Sequence, residues 1–104
     1  MDLEKAVRTA VDTGKVELGT DRTRKLALTG RAKMVVVAGN CPQDAERDLR
    51  RYCDLSGIPV VSFRGTSIEL GMVCGKPFPV CAMGVVEEGS SDILKAAEGT
   101  GEGK

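Results

Sequence analysis

Apolar residues recur at helical spacing from the start of the chain. Leu3, Ala6, Val7, Ala10 and Val11 fall three or four apart, which predicts an amphipathic helix over 2–13. Asp2 or Glu4 suits the positive end of its dipole, and Gly14 is placed to stop it. Val16 and Leu18 then alternate with Lys15 and Glu17, the pattern of a short half-buried strand. Gly19 ends that strand. Thr20 or Asp21 is placed to cap a second helix, which runs to about Thr29 and stops at Gly30. Residues 33–38, Lys-Met-Val-Val-Val-Ala, form a nearly unbroken apolar run, as a strand covered on both faces requires. Gly39-Asn40-Cys41-Pro42 is a turn, with Pro42 expected at the first position of a third helix. Ala45, Leu49, Tyr52 and Cys53 mark one face of that helix, and Gly57 and Pro59 end it near Ser56. A third strand is expected over 60–63. Thr66 and Glu69 have the spacing of a capping box and open a short helix to about Val73, before Gly75. Lys76-Pro77-Phe78-Pro79 reads as a rigid loop, 80–86 as a fourth strand, and Ser91 as the cap of a last helix over 92–97. Residues 99–104 read as a frayed tail.

The elements alternate α-β-α-β-α-β-α-β-α, which predicts an α/β fold with one central sheet and helices on both faces. The 104 residues fit one domain, since domains typically hold ~100–150. No repeat or long linker divides the chain, so the domain is placed at 1–98. A hydrophobic share of 41% argues against disorder. The longest apolar run, 34–38, is far short of a membrane span. The N-terminus lacks the basic and apolar regions of a signal peptide, so a cytoplasmic chain without membrane contact is expected.

Composition restricts the chemistry. There is no His, which removes the commonest proton carrier near neutral pH, and no Trp. With one Tyr and two Phe, a broad aromatic platform for stacking bases is not available. The four cysteines, Cys41, Cys53, Cys74 and Cys81, include no Cys-x-x-Cys pair. They read as reduced thiols in or near the core, with no metal site. Cys41, expected just before a helix, is the one thiol whose position suits activation by a helix dipole. No Gly-x-Gly-x-x-Gly follows a strand, and the Gly-rich tail lacks the Ser/Thr and the helix of a phosphate loop, so no cofactor is expected. Glu87 and Glu88 are adjacent at a strand end and point to opposite sides, which suits solvent better than acid–base work.

The zero net charge hides an asymmetry. Residues 1–64 carry twelve basic and nine acidic groups, and residues 65–104 carry three basic and six acidic. The stretch 20–33 holds Arg22, Arg24, Lys25, Arg31 and Lys33 against Asp21 alone. Two readings fit it: a solvated helix face, or a helix whose N-terminus meets the phosphates of a nucleic acid. Overall neutrality favours a small shaped site over a general polyanion coat.

The string Leu55-Ser-Gly-Ile-Pro-Val60, then Gly65-Thr-Ser-Ile-Glu-Leu-Gly71 and Gly75-Lys-Pro, resembles the archaeal L thirty e family of large-subunit ribosomal proteins. Asp12-Thr-Gly-Lys15, Leu18-Gly19 and the run 33–38 leading into Asn40 agree with it, and the resemblance covers about residues 3–95. It implies a three-layer α-β-α sandwich with a four-stranded mixed sheet, and a non-enzymatic protein that binds a kink-turn or similar internal loop in ribosomal RNA. It further implies neighbouring ribosomal proteins as partners and a monomer in isolation.

The family gathers its RNA contacts from three loops at one end of the sandwich. The first is Gly19, Thr20, Asp21 and Arg22, followed by Arg24 and Lys25 on the helix. Gly19 is either a plain turn glycine or a point where backbone meets RNA closely. The second is Gly39 with Asn40, whose amide is either a turn device or a reader of a base edge. The third is Lys76, Phe78, Pro79, Val80 and Cys81, with Phe78 either stacked on a splayed base or covering the core edge. Asp21 stands where relatives often carry a basic residue, and capping is its expected role. Pro79 and Cys81 stand where eukaryotic members have Arg and Gly. Two other classes stay open at this level: thiol chemistry at Cys41, and a protein–protein adaptor on the same fold.

Overall fold

The computed structural model describes residues 3–91, 93 and 94. Its elements in chain order are α1 (Leu3–Thr13), β1 (Lys15–Leu18), α2 (Thr20–Thr29), β2 (Met34–Val37), α3 (Gln43–Ser56), β3 (Val60–Ser62), α4 (Ser67–Val73) and β4 (Ala82–Glu87). The sheet order is β1-β4-β2-β3. β2 and β3 are parallel, and β4 runs antiparallel to both β1 and β2, so the sheet is mixed.

The valine run explains the layering. Every residue of β2 is buried, and alternate side chains enter opposite layers. Met34 and Val36 join Val7, Ala10, Leu70, Met83 and Val85 under α1 and α4. Val35 and Val37 join Ala27, Cys53 and Ile58 under α2 and α3. Two apolar layers sandwich one strand, which is why its pattern lacks the polar alternation of β1. The result is the α-β-α sandwich with a four-stranded mixed sheet.

Local signals mostly act as expected. The capping box is formed: the Thr66 hydroxyl accepts from the Glu69 N–H at 3.2 Å, and the Glu69 carboxylate accepts from the Thr66 N–H at 2.9 Å. Gly30 and Gly57 close α2 and α3 in the left-handed conformation. Three expectations need correction. Pro42 is the N-cap of α3, with an extended ψ of 136°, and the helix begins one residue later. The fourth strand begins at Ala82 instead of residue 80, because the Val80 N–H donates to the Ser67 carbonyl at 2.9 Å and ties that stretch to α4. Neither Thr20 nor Asp21 caps α2; Gly19 occupies that position, with no side-chain cap bond.

The Ser91 hydroxyl accepts from the Ile93 N–H at 3.1 Å and donates to the Ala6 carbonyl at 2.6 Å. The helix expected over 92–97 and the tail expected over 99–104 otherwise lie outside the described residues. Among the described residues, no helix is long and apolar enough to cross a membrane.

Candidate nucleic-acid interface

The antiparallel placement of β4 brings its N-terminal end beside the C-terminal ends of β1 and β2. Leu18 pairs with Met83, and Val37 with Ala82. The chain leaving β1 and β2 and the chain entering β4 therefore lie at one end of the sheet. Backbone bonds fix it there: the Gly19 N–H donates to the Ala82 carbonyl at 2.9 Å, and the Ala38 N–H to the Cys81 carbonyl at 2.8 Å. Parallel β3 ends on the same side, with the Phe63 N–H donating to the Val37 carbonyl at 2.8 Å. Gly19, Asn40 and Cys81 thus share one end of the molecule. So does the turn Arg64-Gly65-Thr66, where the Gly65 carbonyl accepts from the Gly39 N–H at 2.8 Å.

The first loop is built by backbone geometry. Gly19 has φ 110° and ψ 150°, a region essentially closed to residues with a Cβ, so the turn itself requires glycine. Space beyond its Cα is open, with no heavy atom within 4 Å of a Cβ placed there. The N–H groups of the first turn of α2 have no side-chain cap, and they point out of the sheet end beside the positive pole of the helix. Behind them the buried Thr23 donates its hydroxyl to the Gly19 carbonyl at 2.7 Å, anchoring the turn to the helix.

The basic stretch is less free than its sequence suggests. Arg24 pairs with Asp21 at 2.7 Å, Arg22 with Glu17 at 3.3 Å, and Lys33 with Glu88 at 3.0 Å. Asp21 therefore acts as an ion-pair partner within the first turn of α2, and not as a cap. These pairs are exposed and individually weak, so a phosphate can compete for the arginines. Lys25 and Arg31 make no ion pair among the described residues. The Glu88 carboxyl is held below its ordinary range by its own backbone N–H first and by Lys33 next, as expected of a paired surface group.

Asn40 is exposed, and its oxygen is already used. Asn40 Oδ1 accepts from the N–H of Ser67, the first residue of α4, at 2.7 Å. This bond spans 27 residues and fixes the amide plane, leaving the Nδ2 group of this exposed residue without a protein partner among the described residues. Ser67 is thus a positioning residue that sequence reading missed; its only local signal is its place after the Thr66 cap. Arg64, exposed in the adjoining turn, was missed as well.

The third loop divides. Lys76, Phe78 and Pro79 are exposed, and Phe78 keeps 51% of its surface open, so it does not cover the core edge. Its ring lines a groove of about 320 Å³ with Ile68, Met72, Lys76, Pro77 and Pro79, along α4. Val80, expected among the RNA contacts, is buried in the layer under α1 and α4, so only its backbone can serve an interface. Cys81 is half-buried.

The three buried thiols carry no sign of activation. Burial pushes the Cys41 thiol up, with Cys81 and Glu46 adding to the rise, and burial raises Cys53 and Cys74 to about 11. All four are free, and no cluster suited to a metal ion occurs among the described residues.

The family model of the ribosomal protein L7Ae/L30e/S12e/Gadd45 family matches residues 1–95. The chain belongs to that family. It is 56% identical over 98 residues to the large ribosomal subunit protein eL30 of Methanocaldococcus jannaschii, covering 94% of this chain and 89% of that one. With eL30 of Methanothermobacter thermautotrophicus it shares 48% identity over 95 residues, covering 91% and 97%. Among solved structures, the Giardia lamblia 15.5kD RNA binding protein superposes with a TM-score of 0.72 at 21% identity, over 97% of this chain and 85% of that one. At that identity the likeness speaks for the fold alone. In this member of the L7Ae/L30e family, Gly19 and Asn40 follow the ends of β1 and β2, and the Lys76–Pro79 loop rests against α4.

Proposed function

We propose that this chain is a structural, non-catalytic RNA-binding protein of the large ribosomal subunit, acting in the cytoplasm within the ribosome. It grips a kink-turn or similar internal loop of ribosomal RNA, lies against neighbouring ribosomal proteins, and is monomeric when isolated, with residues 1–98 as its one domain. The observation that carries this reading is the pairing, at one sheet end, of an uncapped helix N-terminus with an oriented Asn40 donor edge. The first suits a phosphate by charge and N–H supply. The second suits an acceptor edge of a purine, which the sheared pairs of a kinked loop leave accessible. The eL30 names of the archaeal relatives and the RNA-binding name of the Giardia protein agree with it.

Two RNAs of equal length test the reading by electrophoretic shift at low salt. The kink-turn RNA is expected to shift, and the straight duplex to bind much more weakly. Equal affinity for both would leave only a nonspecific charge interaction, and no shift with folded protein would end the proposal. Arg22→Ala should weaken binding and reduce the slope of log affinity against log salt by about 1, the signature of one lost phosphate contact. Its Glu17 pair is surface-exposed, so thermal stability should hardly change.

A further inference from the structure

Two thiols stand beside the Asn40 donor edge. Cys41 follows Asn40, and Cys81 precedes Ala82 at the start of β4. Both are tied to one backbone residue: the Ala38 N–H donates to the Cys81 carbonyl at 2.8 Å, and the Ala38 carbonyl accepts from the Cys41 N–H at 3.2 Å. Cys81 packs on the apolar cluster that includes Cys41, and its nearness adds to the rise of the Cys41 thiol. Cys41 is buried and Cys81 half-exposed. Cys74, also buried, has the Met83 sulfur at 3.9 Å as its sulfur neighbour, and Cys53 lies inside the packing of α3.

We propose that Cys41 and Cys81 are a redox pair, which a peroxide converts into an intramolecular disulfide that weakens RNA binding. The second half of this proposal rests on the RNA-binding reading above. Cys81 reacts first because solvent reaches it, whereas burial and the neighbouring Glu46 hold the proton on Cys41. The Cys81 thiol loses its proton, and the thiolate attacks one peroxide oxygen. The O–O bond breaks, leaving a sulfenic acid on Cys81 and a hydroxide that takes up the proton to become water. The Cys41 sulfur then attacks the Cys81 sulfur. The S–S bond forms as the S–O bond breaks, and the departing hydroxide with the Cys41 proton becomes a second water. The two sulfurs are oxidised and the peroxide is reduced.

The geometric consequence falls on Asn40. A disulfide needs the sulfurs at about 2.05 Å, closer than any contact between separate thiols. Cys81 is held by the ladder with Ala38, so the turn carrying Cys41 takes up most of the movement. Asn40 is the next residue, and its aim depends on the bond to Ser67. Closing the disulfide pulls on that bond and turns the Nδ2 donors away from their present direction. It also removes the Cys81 thiol from the surface that faces RNA.

The full chain is treated with hydrogen peroxide and followed by intact mass, non-reducing peptide mapping and electrophoretic shift with the kink-turn RNA. The expected products are a loss of two hydrogens per molecule and a linked Cys41–Cys81 peptide, with Cys53 and Cys74 still free. In Cys41→Ser the reaction should stop at a Cys81 sulfenic acid that dimedone traps, and in Cys81→Ser no disulfide should form. Oxidised protein should bind the RNA roughly tenfold more weakly, the loss of about one good base contact, with recovery on adding dithiothreitol. Cys41→Ser should show no recoverable loss of this kind. Direct passage of Cys81 to sulfinic acid with Cys41 free, or a link through Cys53 or Cys74, would overturn the pair. A clean Cys41–Cys81 disulfide with unchanged RNA affinity would overturn the regulatory half. Failure of the reduced chain to bind RNA would instead sink the proposed function and the regulation with it, and the mass result would then decide the pair alone.

Discussion

Gly71→Ala is expected to destabilise the protein by about 1–3 kcal/mol and to weaken RNA binding, although alanine is the better helix former. Gly71 lies inside α4 and is buried. In an exposed helix the same change would stabilise by roughly 1 kcal/mol. Here a Cβ would overlap the Phe78 carbonyl oxygen, with the Phe78 carbonyl carbon at 3.2 Å and Pro79 Cα at 3.5 Å. Those neighbours are backbone, and they cannot rotate aside. The Lys76–Pro79 loop must lift, which costs what overpacking a core costs and exceeds the helix gain. Since that loop carries the candidate contacts Lys76 and Phe78, RNA affinity should fall with stability. Urea unfolding checks the first part: the midpoint should drop with the slope unchanged. A midpoint equal to or above the parent's would mean that the loop does not rest on α4.

The same segment shows which features a sequence carries openly. The Thr66–Glu69 box is legible because both partners lie within one turn, and the 34–38 run because burial on both faces removes its polar alternation. The three-layer arrangement follows from these local signals together with alternation of the elements, and the family resemblance supplied the four-stranded mixed sheet and the grouping of the loops. What stayed hidden depends on partners far along the chain. Gly19 displaces Thr20 and Asp21 as the cap because a bond to Ala82 fixes its backbone, while local preference favours the oxygen-bearing side chains. Val80 leaves the strand because its N–H is taken by Ser67. The charge of 20–33 looked free because Glu17 and Glu88, which neutralise Arg22 and Lys33, lie outside that window. The nearness of Cys41 to Cys81 has no sequence signature at all, since both are tied to Ala38 only once β4 has paired with β2.

Two substitutions at Asn40 should separate what the residue does for the fold from what it does for RNA. Asn40→Ala removes both halves of the amide. The Ser67 N–H, at the start of α4, loses its acceptor, and the helix loses a cap-like bond worth about 1 kcal/mol. RNA affinity should fall by about 1–3 kcal/mol, the range of a base contact. Asn40→Asp behaves differently in its two measurements. A carboxylate still accepts from Ser67, and its charge suits the N-terminal end of α4, so stability should stay at or above that of the parent. It has no N–H to give, and it sets a negative charge against the RNA. Affinity should therefore fall at least as far as in the alanine variant. Thermal unfolding and RNA titration on both variants read the two quantities separately. An Asn40→Asp protein that binds as tightly as the parent would show that the Nδ2 edge never meets the RNA. The remaining candidate contacts would then be those of α2 and of Phe78, which grip phosphate and stack on bases without reading an edge.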